Sequence, residues 1–411
     1  MSHFIKPLYG ARCFSDIPRT VVSMLTGAVP PGLHPDLVGD LPQRYDRVVV
    51  LYLDAFGSRF VEQFLEDAPL LQRLSREGVV AKITSQFPTT TAAHVTTIHT
   101  GQTPGQSGVF EWQYYEPQLD KMISPLLFSF AGDKKRDTLT QTGIEPARLY
   151  PNRTLYHDLK DHGVRSTIFQ SREFTPSTYS RVVFKGARVK PYVSLPEALV
   201  SLRQRLISKA TPAYYFLYFD KLDTICHHHG PQSHHAAAET ETMLTILDQQ
   251  LFRPLDGKLQ NTLFLITADH GMVEVDPKTT IYLNTDQRFE GYERFLKQNH
   301  DGQWLVAAGS PRDMFLYIYE DCLEEALSFF GDRLDGTADV RRVQDLIDQG
   351  YFGPPPVSEV FLSRVGNLVI LPYSGESVWW YEKGRFEQKF YGHHGGLTPS
   401  EAEIPLLLYA M

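Results

Sequence analysis

The stretch "RVVVLYLDAFGSRF", Arg47 to Phe60, decides the fold. It runs apolar from Val48 to Leu53, meets Asp54, turns at Gly57 and continues into the amphipathic "RFVEQFLEDAPLLQRLSREG". An unbroken apolar run with a helix behind it predicts a strand buried on both faces. The pattern recurs. "AYYFLYFDKLD" is apolar around Tyr214 to Phe219, and "NTLFLITADHGM" from Leu263 to Ile266 before Asp269, His270 and Gly271. Repeated in this way, it predicts an α/β protein with a mostly parallel central sheet and helices on both faces. Such sheets take ligands beyond the carboxyl ends of their strands, where Asp54, Asp223, Asp269 and His270 fall.

The texture changes between about Pro277 and Gln388, with short strands such as "DMFLYIY" and "NLVILPY", a helix near "CLEEALSFF" and the breaker "GPPPV". This predicts residues 277–388 as an inserted α+β cap or lid, with residues 1–276 and 389–411 as a metallohydrolase core that the chain re-enters at "GHHGG". With 411 residues, 42% of them hydrophobic and 21% charged, the chain can bury a sizeable core. A net charge of −8 and the lack of a long Lys/Arg run argue against a nucleic acid polymer or an anionic membrane as main partner. The opening "MSHFIKPLYGARCF" has no apolar signal region and no window approaches a membrane span, which predicts a soluble, cytoplasmic protein. Cys13, Cys226 and Cys322 lie far apart and form no disulfide framework or cysteine metal knot.

Histidine carries the chemistry instead. "DTICHHHGP" sets Asp223 and His227 four apart, "ADHG" sets Asp269 beside His270, "GHHGG" offers His393 and His394, and "LDAFG" offers Asp54. Carboxylate oxygens and imidazole nitrogens suit zinc, and two ions would need about twice the ligands of one. Each piece alone has a plainer reading, as a helix cap, a solvated loop or a turn. Together, three of the four falling at strand ends on one sheet edge, they point to a metal centre. "FPTTTAAHVTTIHTG", Phe87 to Gly101, crowds hydroxyls with no acid or base among them. Thr89 to Thr91 can cap the helix beginning near Ala92; a threonine held between two metal ions can also serve as a nucleophile without a neighbouring base.

In this order the motifs resemble the alkaline phosphatase superfamily, and within it the type I phosphodiesterase / nucleotide pyrophosphatase branch, whose members show F-P-T-x-T-F-P-N-H, Y-x-x-x-P-D-x-x-G-H-x-x-G-P, S-D-H-G-M and G-x-H-G. "YFDKLDTICHHHGP" matches the Tyr, Asp, His, Gly and Pro of the second motif at their spacing. The resemblance implies an alkaline phosphatase-like fold and two divalent cations, zinc in the first place, with manganese or iron as alternatives. It implies Thr91 as the nucleophile that also bridges the metals, one held with Asp54, Asp269 and His270, the other by Asp223, His227 and His394. His394 is preferred to His393 because it precedes the Gly-Gly pair. A covalent phospho-threonine, then its hydrolysis, would cleave a phosphodiester or phosphoanhydride bond in a small phosphorylated substrate.

Three departures stand out. The aromatic after the nucleophile is Ala92, the residue before the metal histidine is Cys226, and His94 stands where the resemblance expects a phosphate-binding asparagine, so His94 is the expected oxyanion donor. A phosphomonoesterase or phosphonate hydrolase with the same centre is the nearest alternative. A non-catalytic, metal-dependent binder of a phosphorylated ligand is a further one. "SVWWYEKGRFEQKFY" reads first as cap packing, with the wall of a substrate pocket as the alternative, and "FQSREFTPSTYS" is given no role; the substrate-binding residues stay unassigned.

Overall fold

The computed structural model describes residues 4–208 and 211–411. The three apolar runs form adjacent strands at the centre of one seven-stranded sheet. In chain order its strands are β1 (Arg47–Leu53), β2 (Val79–Thr84), β3 (Arg165–Ser171), β4 (Arg188–Tyr192), β5 (Ala213–Phe219), β6 (Thr262–Thr267) and β7 (Glu403–Ala410). They lie in the order β2–β7–β6–β1–β5–β3–β4. β1 pairs in parallel with β5 and β6, Val50 facing Phe216 on one side and Leu265 on the other. Only β7 runs against its neighbours.

Val48 to Leu53 are all fully buried, which requires cover on both faces. Two groups of helices supply it. Helices Ile17–Thr26, Thr91–Thr100 and Leu155–Asp161 contact one another; Pro69–Glu77, Leu195–Ile207 and His234–Leu247 form the second group, joined through the last of them. Among the described residues no helix is long and apolar enough to cross a membrane.

After β6 the chain passes through a four-stranded antiparallel sheet before it returns to β7. Its strands lie in the order Ala308–Ser310, Asp313–Leu316, Leu368–Pro372, Ala338–Arg342. The alternation along these strands has a physical consequence. Met314, Leu316, Leu368 and Ile370 join a separate hydrophobic cluster with Phe295, Phe330 and Trp379, whereas Phe315, Val369 and Leu371 join the main core. One face of the inserted sheet is thus continuous with the interior of the large sheet. The two parts are further tied by Arg312, whose guanidinium meets Glu401 in a buried ion pair.

Candidate active site

Three strand ends deliver the acidic groups. Leu53 ends β1 and Asp54 follows; Thr267 ends β6 and Asp269 and His270 follow; Phe219 ends β5 and leads into the helix Lys221–His229, which carries Asp223 and His227. The turns after β1 and β6 touch. A Cβ on Gly57 would lie 2.6 Å from the Gly271 Cα, so both "DAFG" and "ADHG" need glycine for this approach. The approach lets the Ala55 amide donate to Asp269 Oδ1 at 3.2 Å. Two residues on, the returning "GHHGG" packs against the same edge: Gly392–His393 pairs with Val273–Glu274.

The hydroxyl-rich turn resolves into separate tasks. Thr89 donates to the Gly396 carbonyl at 2.8 Å and accepts from the Gly395 amide at 2.9 Å, stapling the turn to the segment after His394. Thr96 and Thr100 donate back to helix carbonyls, and Thr97 bonds Gln86 and Gln102. Thr91, the first residue of its helix, is the one whose Oγ1 lies at the acidic cluster, 3.3 Å from His270 Nε2.

The imidazoles are anchored alike. Nδ1 of His227 lies 2.8 Å from the Gly392 carbonyl, Nδ1 of His270 2.9 Å from that of Gly271, and Nδ1 of His394 2.9 Å from that of Thr89. A carbonyl only accepts, so each Nδ1 carries the proton and each Nε2 keeps a lone pair. Those lone pairs face carboxylate oxygens. His270 Nε2 is 3.5 Å from Asp54 Oδ1 and 3.4 Å from Asp269 Oδ2, while His227 Nε2 and His394 Nε2 are 3.4 and 3.7 Å from Asp223 Oδ1. The same three oxygens are buried without a hydrogen-bond partner. Lone pair facing lone pair, with buried oxygens orphaned, is an arrangement that a bound cation satisfies.

The electrostatics agree. Burial, followed by the charges of Asp269 and Asp223, pushes the Asp54 carboxyl well above its ordinary range, and burial with Asp269 does the same to Asp223. Burial is the main cause holding His227 down to about 4 and His270 and His394 well below the usual imidazole value. Among the described residues, Asp54, Asp269 and His270 bring one ligand atom each within 4.8 Å of one another, and so do Asp223, His270 and His394. His270 thus reaches both groups, its ring stacked on that of His394 at 3.6 Å, and His227 adds to the second through Asp223.

His94 is placed otherwise than the sequence suggests. It is fully buried; Nδ1 lies 2.8 Å from the Thr90 carbonyl and Nε2 accepts from the Gln86 amide at 3.2 Å, with the Ser85 hydroxyl at 2.7 Å. Both nitrogens are engaged, and burial lowers its pKa to about 4, so the ring has neither a free donor nor a charge for an oxyanion. It braces the turn before Thr91. Cys226 is also fully buried, and burial raises its thiol, which packs as a small apolar group. Of the histidine run only His227 faces the cluster; His228 and His229 are exposed, and His229 stacks on His235.

Two clefts meet at Thr91. A cleft of about 180 Å³ is bounded by Val95, Trp112, Leu127, Arg136, Phe174 and Tyr218; one of about 450 Å³ by Glu111, Trp112, Trp379, Phe386, Phe390 and His393. Thr91, Trp112 and Asp223 line both, with Trp112 40% exposed at the junction. No metal-ligand motif marks these walls. Phe174, Ser177 and Tyr179 come from "FQSREFTPSTYS"; Trp379, Phe386 and Phe390 from the tryptophan-rich segment, whose Trp379 and Trp380 are also buried packing. Tyr218 donates its hydroxyl proton to Asp54 Oδ2.

The mostly parallel sheet with its acidic, histidine-rich edge is an alkaline phosphatase-like fold. The chain belongs to the type I phosphodiesterase / nucleotide pyrophosphatase family, whose sequence model matches residues 48–397. It is similar to ectonucleotide pyrophosphatase/phosphodiesterase family member 3 of Rattus norvegicus, 22% identical over 301 residues, 69% of this chain; the match spans 31% of the relative's length. The fold is similar to murine ectonucleotide pyrophosphatase/phosphodiesterase 5, with a TM-score of 0.65 and 17% identity over 88% of this chain and 87% of that one. It is also similar to phosphonoacetate hydrolase from Sinorhizobium meliloti 1021 in complex with phosphonoformate, with a TM-score of 0.60 and 16% identity over 89% and 90% of the two chains.

Proposed function

We propose that the protein is a two-metal hydrolase of phosphodiester or phosphoanhydride bonds in small substrates, acting through Thr91. The observation that carries this reading is the meeting of two clefts at Thr91, on either side of Trp112, beside the orphaned carboxylates. A diester has two arms to place and a monoester one.

Asp54, Asp269 and His270 would hold one cation and Asp223, His227 and His394 the other, with Thr91 between them; zinc suits this oxygen and nitrogen set, and manganese or iron fit it too. When bound, the metal pair lowers the pKa of a hydroxyl and neutralises charge on the phosphoryl group. Thr91 Oγ1 gives up its proton to solvent and forms a bond to phosphorus as the bond to the leaving oxygen breaks and that oxygen takes up a proton. Water then attacks the phospho-threonine, the P–Oγ1 bond breaks, the water oxygen stays on phosphorus and one water proton returns to Thr91 Oγ1. The helix that begins at Thr91 makes its first backbone bond from the His94 amide to Thr90, so the amides of Ala92 and Ala93 are free of intrahelical partners and face developing negative charge. His94 fixes the Thr90 carbonyl that starts this helix. Residues 277–388 act as a cap over the core of 1–276 and 389–411, contributing Trp379 and Phe386 to the larger cleft.

The test is kcat/KM for bis-p-nitrophenyl phosphate against p-nitrophenyl phosphate, on zinc- and manganese-loaded protein, with Thr91→Ala alongside. The reading expects a ratio well above one, and loss of turnover in Thr91→Ala at unchanged metal content. A ratio well below one makes the protein a monoesterase. Turnover surviving in Thr91→Ala removes the nucleophile.

A further inference from the structure

The two groups of ligands differ in how their carboxylates are held. In Asp269, Oδ1 accepts from the amides of Ala55 at 3.2 Å and His270 at 3.0 Å, which leaves Oδ2 for the cluster, 3.4 Å from His270 Nε2. Asp54 follows the same plan with a side chain in place of the backbone. Its Oδ2 accepts from the Tyr218 hydroxyl, and Oδ1 is left without a partner 3.5 Å from His270 Nε2. Among the described residues that hydroxyl is the one hydrogen-bond donor to the Asp54 carboxylate. Asp223 has no such support: among the described residues no hydrogen bond holds it, and its Oδ1 meets only the Nε2 atoms of His227 and His394.

Tyr218 is itself firmly set. It is the residue before the last of β5, opposite Tyr52 of β1, and is 6% exposed. Its ring lies 5.3 Å from that of Tyr52 and 6.3 Å from that of Phe174, and its carbonyl accepts from the Tyr192 hydroxyl at 2.5 Å. Next to it, the Asp54 amide donates to the Phe219 carbonyl at 2.9 Å, so the carboxylate and the strand that carries the phenol are joined through the backbone as well. A ring fixed by packing delivers its hydroxyl to one place, and a carboxylate gripped by one oxygen presents the other in one direction. Without the hydroxyl, Oδ2 is a buried acceptor with no donor, and nothing chooses between the two oxygens.

Resting on the two-metal part of the reading above and on no particular substrate, we propose that Tyr218 is a positioning residue: it aims Asp54 Oδ1 at the cation shared with Asp269 and His270, and it has no hold on the cation of Asp223, His227 and His394. The two metal positions therefore respond differently to loss of one hydroxyl. Because the Tyr218 ring also lines the smaller cleft, phenylalanine removes the hydroxyl and keeps the wall.

The experiment is titration of the chelator-stripped full chain with cobalt(II), followed by the visible absorption of the bound ion, and with zinc by calorimetry. Asp54→Asn and Asp223→Asn assign the two binding steps, each by the step it weakens most. Tyr218→Phe is expected to weaken the Asp54 step by about tenfold or more, the usual cost of losing a hydrogen bond to a metal ligand, and to change the spectrum of that ion, while the Asp223 step moves by less than about twofold. In the Asp54→Asn background the same change should cost nothing further, since the two residues act as one unit. Turnover of bis-p-nitrophenyl phosphate by Tyr218→Phe should return toward wild type as metal is raised, with KM unmoved. Tyr214→Phe takes a buried, unpartnered hydroxyl from the same strand and should leave both steps alone. Tyr218→Met is the reserve should the phenylalanine variant lose its fold. If wild type takes up two cations and Tyr218→Phe moves neither step, or both alike, or no more than Tyr214→Phe does, the inference is overturned and the hydrolase reading stands. If wild type takes up fewer than two, both fall together.

Discussion

Arg312→Met attacks the tie between the inserted sheet and the segment behind His394. Arg312 and Glu401 are both fully buried, with Nε 3.0 Å from Oε1 and Nη2 2.9 Å from Oε2. Nη1 also donates to the carbonyl of Tyr373 at 2.8 Å and to that of Glu376. Glu401 accepts in addition from the Gly396 amide at 3.0 Å, the Thr398 amide at 3.3 Å and the Thr398 hydroxyl at 2.5 Å. Methionine fills much of the arginine stem but leaves a buried carboxylate facing only dipoles, and two carbonyls without their donor. Breaking a buried pair from one side costs about 3–5 kcal/mol, and this site lies at the upper end because neither group reaches water. Adding Glu401→Gln removes the stranded charge while keeping an acceptor for Gly396, so the double variant should be more stable than Arg312→Met by about 1–3 kcal/mol. The assay is urea unfolding of the metal-loaded protein, read as free energy by linear extrapolation. Glu401 orders the amide two residues after His394, so Arg312→Met should also weaken zinc affinity by about tenfold. A cost below about 1 kcal/mol for Arg312→Met, or a double variant less stable than Arg312→Met, would refute the reasoning.

Three further perturbations are informative. Chelation should lower the thermal midpoint, because a metal at about a thousand times its Kd stabilises by about 4 kcal/mol; Asp54→Asn should raise the stability of the metal-free protein, relieving the burial of a carboxyl and its repulsion with Asp269 and Asp223, while reducing the gain on adding zinc to what the Asp223, His227 and His394 group retains, as calorimetry with and without metal would show. Asp16 supplies a pH test: burial raises its carboxyl to about 6, against the bonds it accepts from the amides of Cys13 at 2.9 Å and Gly10 at 3.2 Å. The folded state therefore holds a proton that the unfolded state has lost, and its contribution to stability falls as pH rises from about 4 through 6, by about 1–2 kcal/mol after allowance for partial exposure. Urea unfolding of wild type against Asp16→Asn should show the difference closing in favour of Asn over that window and flat above pH 7; a difference independent of pH would remove Asp16 as the cause.

The residues legible in the sequence were those whose chemistry and local pattern coincide. Val48 to Leu53 announces a buried strand because covering both faces leaves no polar position, and Asp54 then marks where the strand meets the edge. Asp269 and His270 read the same way after β6. Of His227 to His229, the four-residue interval from Asp223 and the spacing of the resembling motif single out His227, and in the folded chain Gly392 offers its carbonyl to that ring. His94 misled because its partners, the Thr90 carbonyl and the Gln86 amide, belong to a turn whose path no motif records. Trp112, Arg136 and Phe174 lie in segments remote in sequence and meet only in the folded chain. The inserted sheet reads as ordinary strands from 313 to 372, and alternation cannot say which of its faces finds the main core.

The position of β7 bears on how the molecule comes together. Residues 403–410 follow every other element in the chain, yet they lie inside the sheet, between β2 and β6. Until they arrive during synthesis, β6 presents an open edge and β2 has no strand beside it, and His394 enters only a few residues earlier. Assembly of the sheet and completion of the histidine cluster are therefore late, nearly simultaneous events, and a nascent chain has strong reason to engage a chaperone over that unpaired edge.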